Sequence, residues 1–238
     1  MPEVAGEPAL TVVTPADRPA TAVALVLHGG REDSHARVHS GQLAVARMLP
    51  FASTLRRAGG KRGLAVARLR YVVRGWNGRE QSPVHDVAWA LGRLAERFGD
   101  LPVATVGHSM GGRAAVYCAG HPSVRAVVGL APWLEDGDPV AQLAGRRLLV
   151  AHGDRDRVTS PARSAAFTVE AAEVADSAAY VSVRGERHAL LRRAGLWHQL
   201  ATGFVLATVC GAQPGDTTDP VTANVLAKVL AGQTPVVA

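Results

Sequence analysis

Apolar positions in this chain fall into two alternating patterns from Thr21 to about Cys210. Short unbroken apolar runs give way to longer stretches in which apolar residues recur at helical spacing. The runs are "TAVALVLHGG" (21–30), "LAVARLRYVV" (64–73), "PVATV" (102–106), "VRAVVGLAP" (124–132), "RRLLVAHG" (146–153) and "AAYVSVRG" (178–185). Continuous rather than alternating runs mark strands covered on both faces, as in a mostly parallel sheet. Between them, helices are predicted over 41–58, 84–98, 161–175 and 190–210. The stripe Val84, Val87, Ala88, Leu91, Leu94, Ala95 and Phe98 is the clearest of these. Alternation of this kind predicts an α/β fold with a doubly wound sheet and helices on both faces. The tail from Gly211 is richer in Gly, Pro, Thr and Asp, with a short helix possible over 220–230. No repeat or linker divides the chain, so residues 1–238 are read as one domain with a core over 21–210.

Composition narrows the function. The net charge of +6 is compatible with an anionic partner, but Lys61 and Lys228 are the only lysines and the arginines are scattered. Nucleic-acid binding is therefore not expected. No apolar stretch is long enough to span a bilayer, and the first residues lack a basic start followed by an apolar run. A cytoplasmic protein with no membrane partner is expected. Two cysteines exclude a disulfide scaffold, and Cys118 reads as a small core residue.

One run ends in candidate chemistry. Val103–Val106 reaches Gly107-His108-Ser109-Met110-Gly111, and small helix formers follow at once. A G-x-S-x-G turn from strand to helix lifts a serine hydroxyl above the sheet, and glycine is needed on both sides of so tight a bend. The helix that starts at Met110 directs its N–H groups towards the place where an oxyanion would form.

A serine nucleophile needs an imidazole to take its proton and a carboxylate to orient that imidazole. The turn resembles the elbow of α/β-hydrolases, and that resemblance implies the chain order serine, acid, histidine. Of nine histidines, that order leaves His188 and His198. His188 follows the run ending at Gly185, where a loop is expected; His198 sits inside a helical stretch. The favoured base is His188. For the acid, "HGDRDRVTSP" offers Asp154 and Asp156, with Asp156 preferred and Asp154 read as a loop-holding residue. Glu135, Asp136 and Asp138, after the preceding strand, are a third choice. The second oxyanion donor is expected at Gly30, where "LVLHGG" ends, with the neighbouring Arg31 as the alternative.

The pieces "LHGG", "VGHSMGG", "HGDRDRV" and "GERH", in this order, resemble the α/β-hydrolase superfamily over nearly the whole chain from Thr21 to Cys210. The resemblance implies an eight-stranded sheet or a trimmed one, with only "ALTVVT" left for strands before Thr21. Where many members insert a cap, this chain has only about a dozen residues, so no large cap domain is expected. The resemblance is to small uncapped esterases and dienelactone-hydrolase-like proteins. "LAPWLEDG" is similar to the strand end of cutinase-like esterases, which implies a place for Trp133 beside the acyl pocket, with a core or rim position as the alternative. Arg74, Trp76 and Asn77 in "RYVVRGWNG" are read either as substrate contacts or as pins of their own loop.

These readings combine into a serine hydrolase that cleaves a carboxylic ester through an acyl-enzyme on Ser109. His188 is the base, Asp156 the acid, and Gly30 and Met110 the oxyanion donors. Neither a metal nor an organic cofactor is called for, and the partner is a small-molecule ester. The same residues serve a thioesterase, amidase, acyltransferase or perhydrolase, and a non-catalytic binding protein of this fold is the remaining reading.

Overall fold

The computed structural model describes residues 6–216 and 218–238. Its frame is an eight-stranded sheet whose strands, from one edge to the other, are Ala9–Val13, Leu64–Arg70, Ala22–Leu27, Val103–His108, Val124–Leu130, Arg147–Gly153, Ser177–Val183 and Val236–Val237. The strands are β1 (Ala9–Val13), β2 (Ala22–Leu27), β3 (Leu64–Arg70), β4 (Val103–His108), β5 (Val124–Leu130), β6 (Arg147–Gly153), β7 (Ser177–Val183) and β8 (Val236–Val237). Only β1 runs antiparallel, along β3; every other pairing is parallel. The helices are α1 (Leu43–Arg47), α2 (Leu49–Gly59), α3 (Ser82–Phe98), α4 (Met110–Tyr117), α5 (Pro161–Ala172), α6 (Ala194–Val209) and α7 (Pro220–Leu230).

Every residue of β2 and β4 is buried, as continuous apolar runs require. Successive β2 side chains point to opposite faces and feed two cores. Ala22, Ala24 and Val26 join Phe51 and Leu55 of α2, Trp197 and Phe204 of α6 and Leu226 of α7. Val23, Leu25 and Leu27 join Leu91 of α3, Ala114 and Ala115 of α4 and Phe167 of α5. Cys118 belongs to this second core, and burial pushes its thiol up to about 12.

The structure departs from the sequence pattern in three places. The single helix expected over 41–58 is broken at Met48 into α1 and α2. Pro50 has no N–H to continue the ladder to Ala46, so the chain tightens, with Met48 N–H donating to the Val45 carbonyl at 3.1 Å, and restarts. The helix expected from residue 190 begins only at Ala194 because the preceding segment is held as a loop. The run read as the last strand, β7, is followed by another. The tail returns through α7, N-capped by Asp219, whose carboxylate accepts from the Val221 and Thr222 N–H groups, and ends in β8 beside β7. A two-residue strand carries too little pattern to be read from sequence.

Between β5 and β6 the chain makes only short turns, with Ala141–Leu143 as one turn of 3-10 helix, and carries no lid. Arg113 on α4 pins this segment by donating twice to Asp138, at 2.6 and 3.1 Å.

α4 packs closely onto the sheet. A Cβ on Gly111 would stand 2.5 Å from the His28 carbonyl oxygen and 2.7 Å from that of Leu27. Both are backbone atoms and cannot rotate away. Gly92, inside α3, has nothing within 4 Å of the same position. Gly111→Ala is therefore expected to destabilise the protein by about 2–3 kcal/mol. Gly92→Ala should stabilise it by about 0.5–1 kcal/mol through helix propensity. Urea denaturation of the two variants checks both signs.

Candidate active site

At the C-terminal end of β4 the chain turns through Ser109 into α4. Ser109 holds φ 55° and ψ −122°, a conformation that non-glycine residues rarely adopt. Its own backbone secures it. The Ser109 N–H donates to the Leu130 carbonyl at 3.1 Å, and its carbonyl accepts from Gly112, Arg113 and Trp133 N–H groups at 2.9, 3.2 and 3.1 Å. The hydroxyl is thereby fixed at the start of a helix, above the sheet.

Two loops bring partners to it. His188 Nε2 is 3.0 Å from Ser109 Oγ, and His188 Nδ1 is 2.8 Å from Asp156 Oδ2. An ionised carboxylate only accepts, so Nδ1 carries the proton and Nε2 is left to accept from the serine hydroxyl. Burial acts to raise the proton affinity of Asp156. Donors from His152, His188 and the Val158 N–H outweigh it and hold the carboxyl well below the usual carboxylate range. Such an arrangement can lift a proton from the hydroxyl and keep the resulting imidazolium oriented.

The loop bearing His188 is tied at several points. Its carbonyl accepts from His108 Nε2 at 2.9 Å and from Arg47 Nη1 at 3.4 Å. The fully buried Glu186 accepts the Arg193 N–H on Oε1 at 2.6 Å, just ahead of α6. Asp154 Oδ1 accepts the Gly185 N–H at 2.7 Å, so this aspartate clasps the two loops together. The other acids and the other histidine are engaged elsewhere. Glu135 and Asp136 face Arg163, Asp138 holds Arg113 and the Tyr117 hydroxyl, and His198 stands edge-on to Phe51 in the core.

On the opposite side, the Arg31 N–H donates to the Arg74 carbonyl at 2.8 Å. Among the described residues, the N–H groups of Gly30 and Met110 have no backbone partner. Both residues line a cavity of about 560 Å³ together with Ser109, Arg31, Trp133 and Thr159. Trp133 also borders an adjoining cavity of about 840 Å³ that contains Trp76. Trp76 is outside the Ser109 cavity. It supports Trp133 edge-on, with ring centroids 6.1 Å apart, while the Arg113 guanidinium lies 4.4 Å from one ring and 4.8 Å from the other. Arg74 is not in the lining either. Its Nε donates to the Arg37 carbonyl and its Nη2 to His39, and Asn77 Oδ1 accepts the Ser34 N–H; both side chains hold their loops.

Sequence reasoning missed four supports: His152, Thr159, His108 and Arg113. Chain order sets His108 and His152 aside as bases but is silent on what buried imidazoles hold in place. Thr159 stands in the same segment as Asp156, and its hydroxyl lies 3.0 Å from Asp156 Oδ2 and 3.2 Å from His188 Nδ1.

No protein-family model matches the chain, and no curated protein does. Solved structures do. An alpha-beta serine hydrolase homologue from Coxiella burnetii superposes with a TM-score of 0.62 at 17% identity, over 82% of this chain and 90% of that one. Est1E from Butyrivibrio proteoclasticus, solved with ferulic acid bound, gives 0.63 at 13% identity, over 85% and 95%. A serine hydrolase without a lid from Xanthomonas campestris gives 0.57 at 16%, over 82% and 86%. The chain has the α/β-hydrolase fold.

In this α/β-hydrolase fold the site is floored by buried neutral imidazoles. Burial lowers His28 to about 4 and His108 to about 3, with the proximity of His188 adding to the latter. His28 Nδ1–H donates to the Gly29 carbonyl, its Nε2 accepts the Tyr71 N–H, and His108 Nδ1 has no partner among the described residues. Unfolded, both would titrate near 6.5. Below 6.5 the unfolded chain therefore binds protons that the folded one refuses, and stability falls with pH towards 4. Urea midpoints are expected to be flat above pH 7.5 and to decline between pH 6.5 and 4, less steeply in His108→Gln.

Proposed function

We propose that this protein is a serine hydrolase that cleaves carboxylic esters through an acyl-enzyme on Ser109. The observation that carries the reading is the hydrogen-bonded chain from Ser109 Oγ through His188 to Asp156, at 3.0 and 2.8 Å, opening on a cavity. His188 Nε2 takes the hydroxyl proton as Ser109 Oγ attacks the ester carbonyl. The Gly30 and Met110 N–H groups hold the oxyanion, a role supported by their lack of backbone partners. The imidazolium then gives its proton to the departing alkoxide. A water, deprotonated by the same Nε2, attacks the acyl carbonyl, and collapse releases the acid and restores the Ser109 hydroxyl. Asp156 remains ionised throughout and keeps the ring in one tautomer.

Trp133 gives the cavity an apolar wall for a short acyl group, and Arg31 stands at its rim. With no lid between β5 and β6, the leaving alcohol projects towards solvent, so varied alcohols are accepted. No helix among the described residues is long and apolar enough to cross a membrane.

Ser109→Ala is expected to lose about 10³-fold or more in kcat on p-nitrophenyl esters, and to lose labelling by a fluorophosphonate, with the fold intact. Asp156→Asn should fall by orders of magnitude because it stabilises the wrong tautomer, whereas Asp154→Asn should retain most of its turnover. Rates on esters of increasing chain length should show no jump at the solubility limit. Wild-type protein that neither takes up the fluorophosphonate nor cleaves any ester, thioester or amide would make it a binding protein.

A further inference from the structure

Asp156 receives two imidazoles on the same oxygen. His188 Nδ1 lies 2.8 Å from Oδ2 and His152 Nε2 lies 3.1 Å from it. Since the carboxylate only accepts, His152 carries its proton on Nε2, and its Nδ1 must accept. The group that donates to Nδ1 is the Ser164 hydroxyl, at 2.9 Å on α5. Two Ser–His arms therefore meet at one carboxylate oxygen. One arm ends at Ser109 in the cavity. The other is sealed, with His152 and Ser164 both at 0% exposure.

The buried arm cannot reach a substrate, and apolar packing alone does not call for it. An imidazole and a hydroxyl inside a core are costly unless fully paired. Here the Ser164 hydroxyl pairs with His152, and His152 pairs with Asp156 Oδ2. The Thr159 hydroxyl also donates to that oxygen at 3.0 Å while lying 3.2 Å from His152 Nε2. What the arm can change is the charge on Oδ2. A second N–H on that oxygen stabilises the carboxylate and weakens its pull on the proton of a His188 imidazolium. Other groups facing His188 are few. His108 lies at the end of β4, its ring centroid 4.8 Å away and neutral. Arg47 of α1 reaches the His188 carbonyl, and Thr159 presents a hydroxyl. Glu186, on the same loop, is bound to the Arg193 N–H. Asp156 is the one anion hydrogen-bonded to the imidazole, so its charge density dominates.

We propose that His152, held by Ser164, is a positioning residue that sets the basicity of His188 by sharing Asp156 Oδ2. The inference rests on the hydrolase reading for its functional meaning, but the coupling itself can be read without turnover.

The test is a ring-¹⁵N NMR titration of His188 in the whole protein, beside the pH profile of kcat/KM on a p-nitrophenyl ester. His152→Leu has similar volume and no donor. It should raise the pH at which His188 takes up its proton by on the order of one pH unit, and the acid limb of kcat/KM should move up equally. His152→Gln, whose amide can donate to Oδ2, should stay at the wild-type value. Ser164→Ala should shift part of the way in the same direction. An unchanged His188 titration in folded His152→Leu, or Gln behaving like Leu, would overturn the proposal. If His152→Leu does not fold, an unshifted Ser164→Ala overturns it alone. A shifted titration in a protein that cleaves no ester sinks the hydrolase reading and leaves the coupling standing.

Discussion

Ser109 sits in a backbone conformation that it holds only because the main chain around it permits no other. Its carbonyl is bound by three N–H groups and its own N–H by β5, while Gly107 and Gly111 bring α4 onto the ends of β2 and β4 with no room for a Cβ. Everything else in the site is placed relative to that turn. The α4 N-terminus lies beside the hydroxyl because the helix cannot move off the sheet, and Trp133 is tied to the elbow through its own N–H. Strain of this kind, on the order of 1–3 kcal/mol, persists only where the surroundings over-determine it.

Around this fixed point the polar groups follow one rule: each buried imidazole is neutral or shares a carboxylate. His28 and His108 are neutral beneath the elbow, and His152 and His188 converge on Asp156. A second cation close to His188 would oppose protonation of its ring, so the neutrality of His108 matters to the chemistry as well as to stability. Away from the carboxylate, the Arg113–Asp138 pair does a mechanical task. It braces Trp76 and Trp133 and anchors the segment between β5 and β6.

The parts visible in the sequence are those that depend on local pattern. The β2 and β4 runs are fully covered strands and β6 is covered from Leu148 onward, and their ends carry "LHGG", the elbow and the loop of Asp156, so Gly30, Ser109 and Asp156 arrive together once the sheet forms. His188 is legible because chain order leaves few histidines. Choosing Asp156 over Asp154 is a matter of two residues of loop, and the structure puts only the former within reach of His188. The supports were not legible, because they are tertiary. Nothing in the sequence near His152 says that Ser164 will face it, and nothing near Trp76 says that Arg113 will cover its ring. The break at Met48 follows from Pro50, which lacks the N–H that would continue the helix, and the two residues of β8 are too few to form a pattern.

If Ser109 is acylated as proposed, the short crossing between β5 and β6 bears on the fate of that intermediate. An acyl group on Ser109 would face bulk solvent, with no closing element to keep water out while a second molecule found its place. Under such conditions the intermediate partitions by competition, and an acceptor other than water prevails only if it is bound and oriented next to the acyl carbon before attack. An unlidded cleft thus favours hydrolysis over transfer by default. On the proposed reading, redirecting this scaffold to synthesis would require building an acceptor site beside Trp133 rather than altering Ser109 and His188.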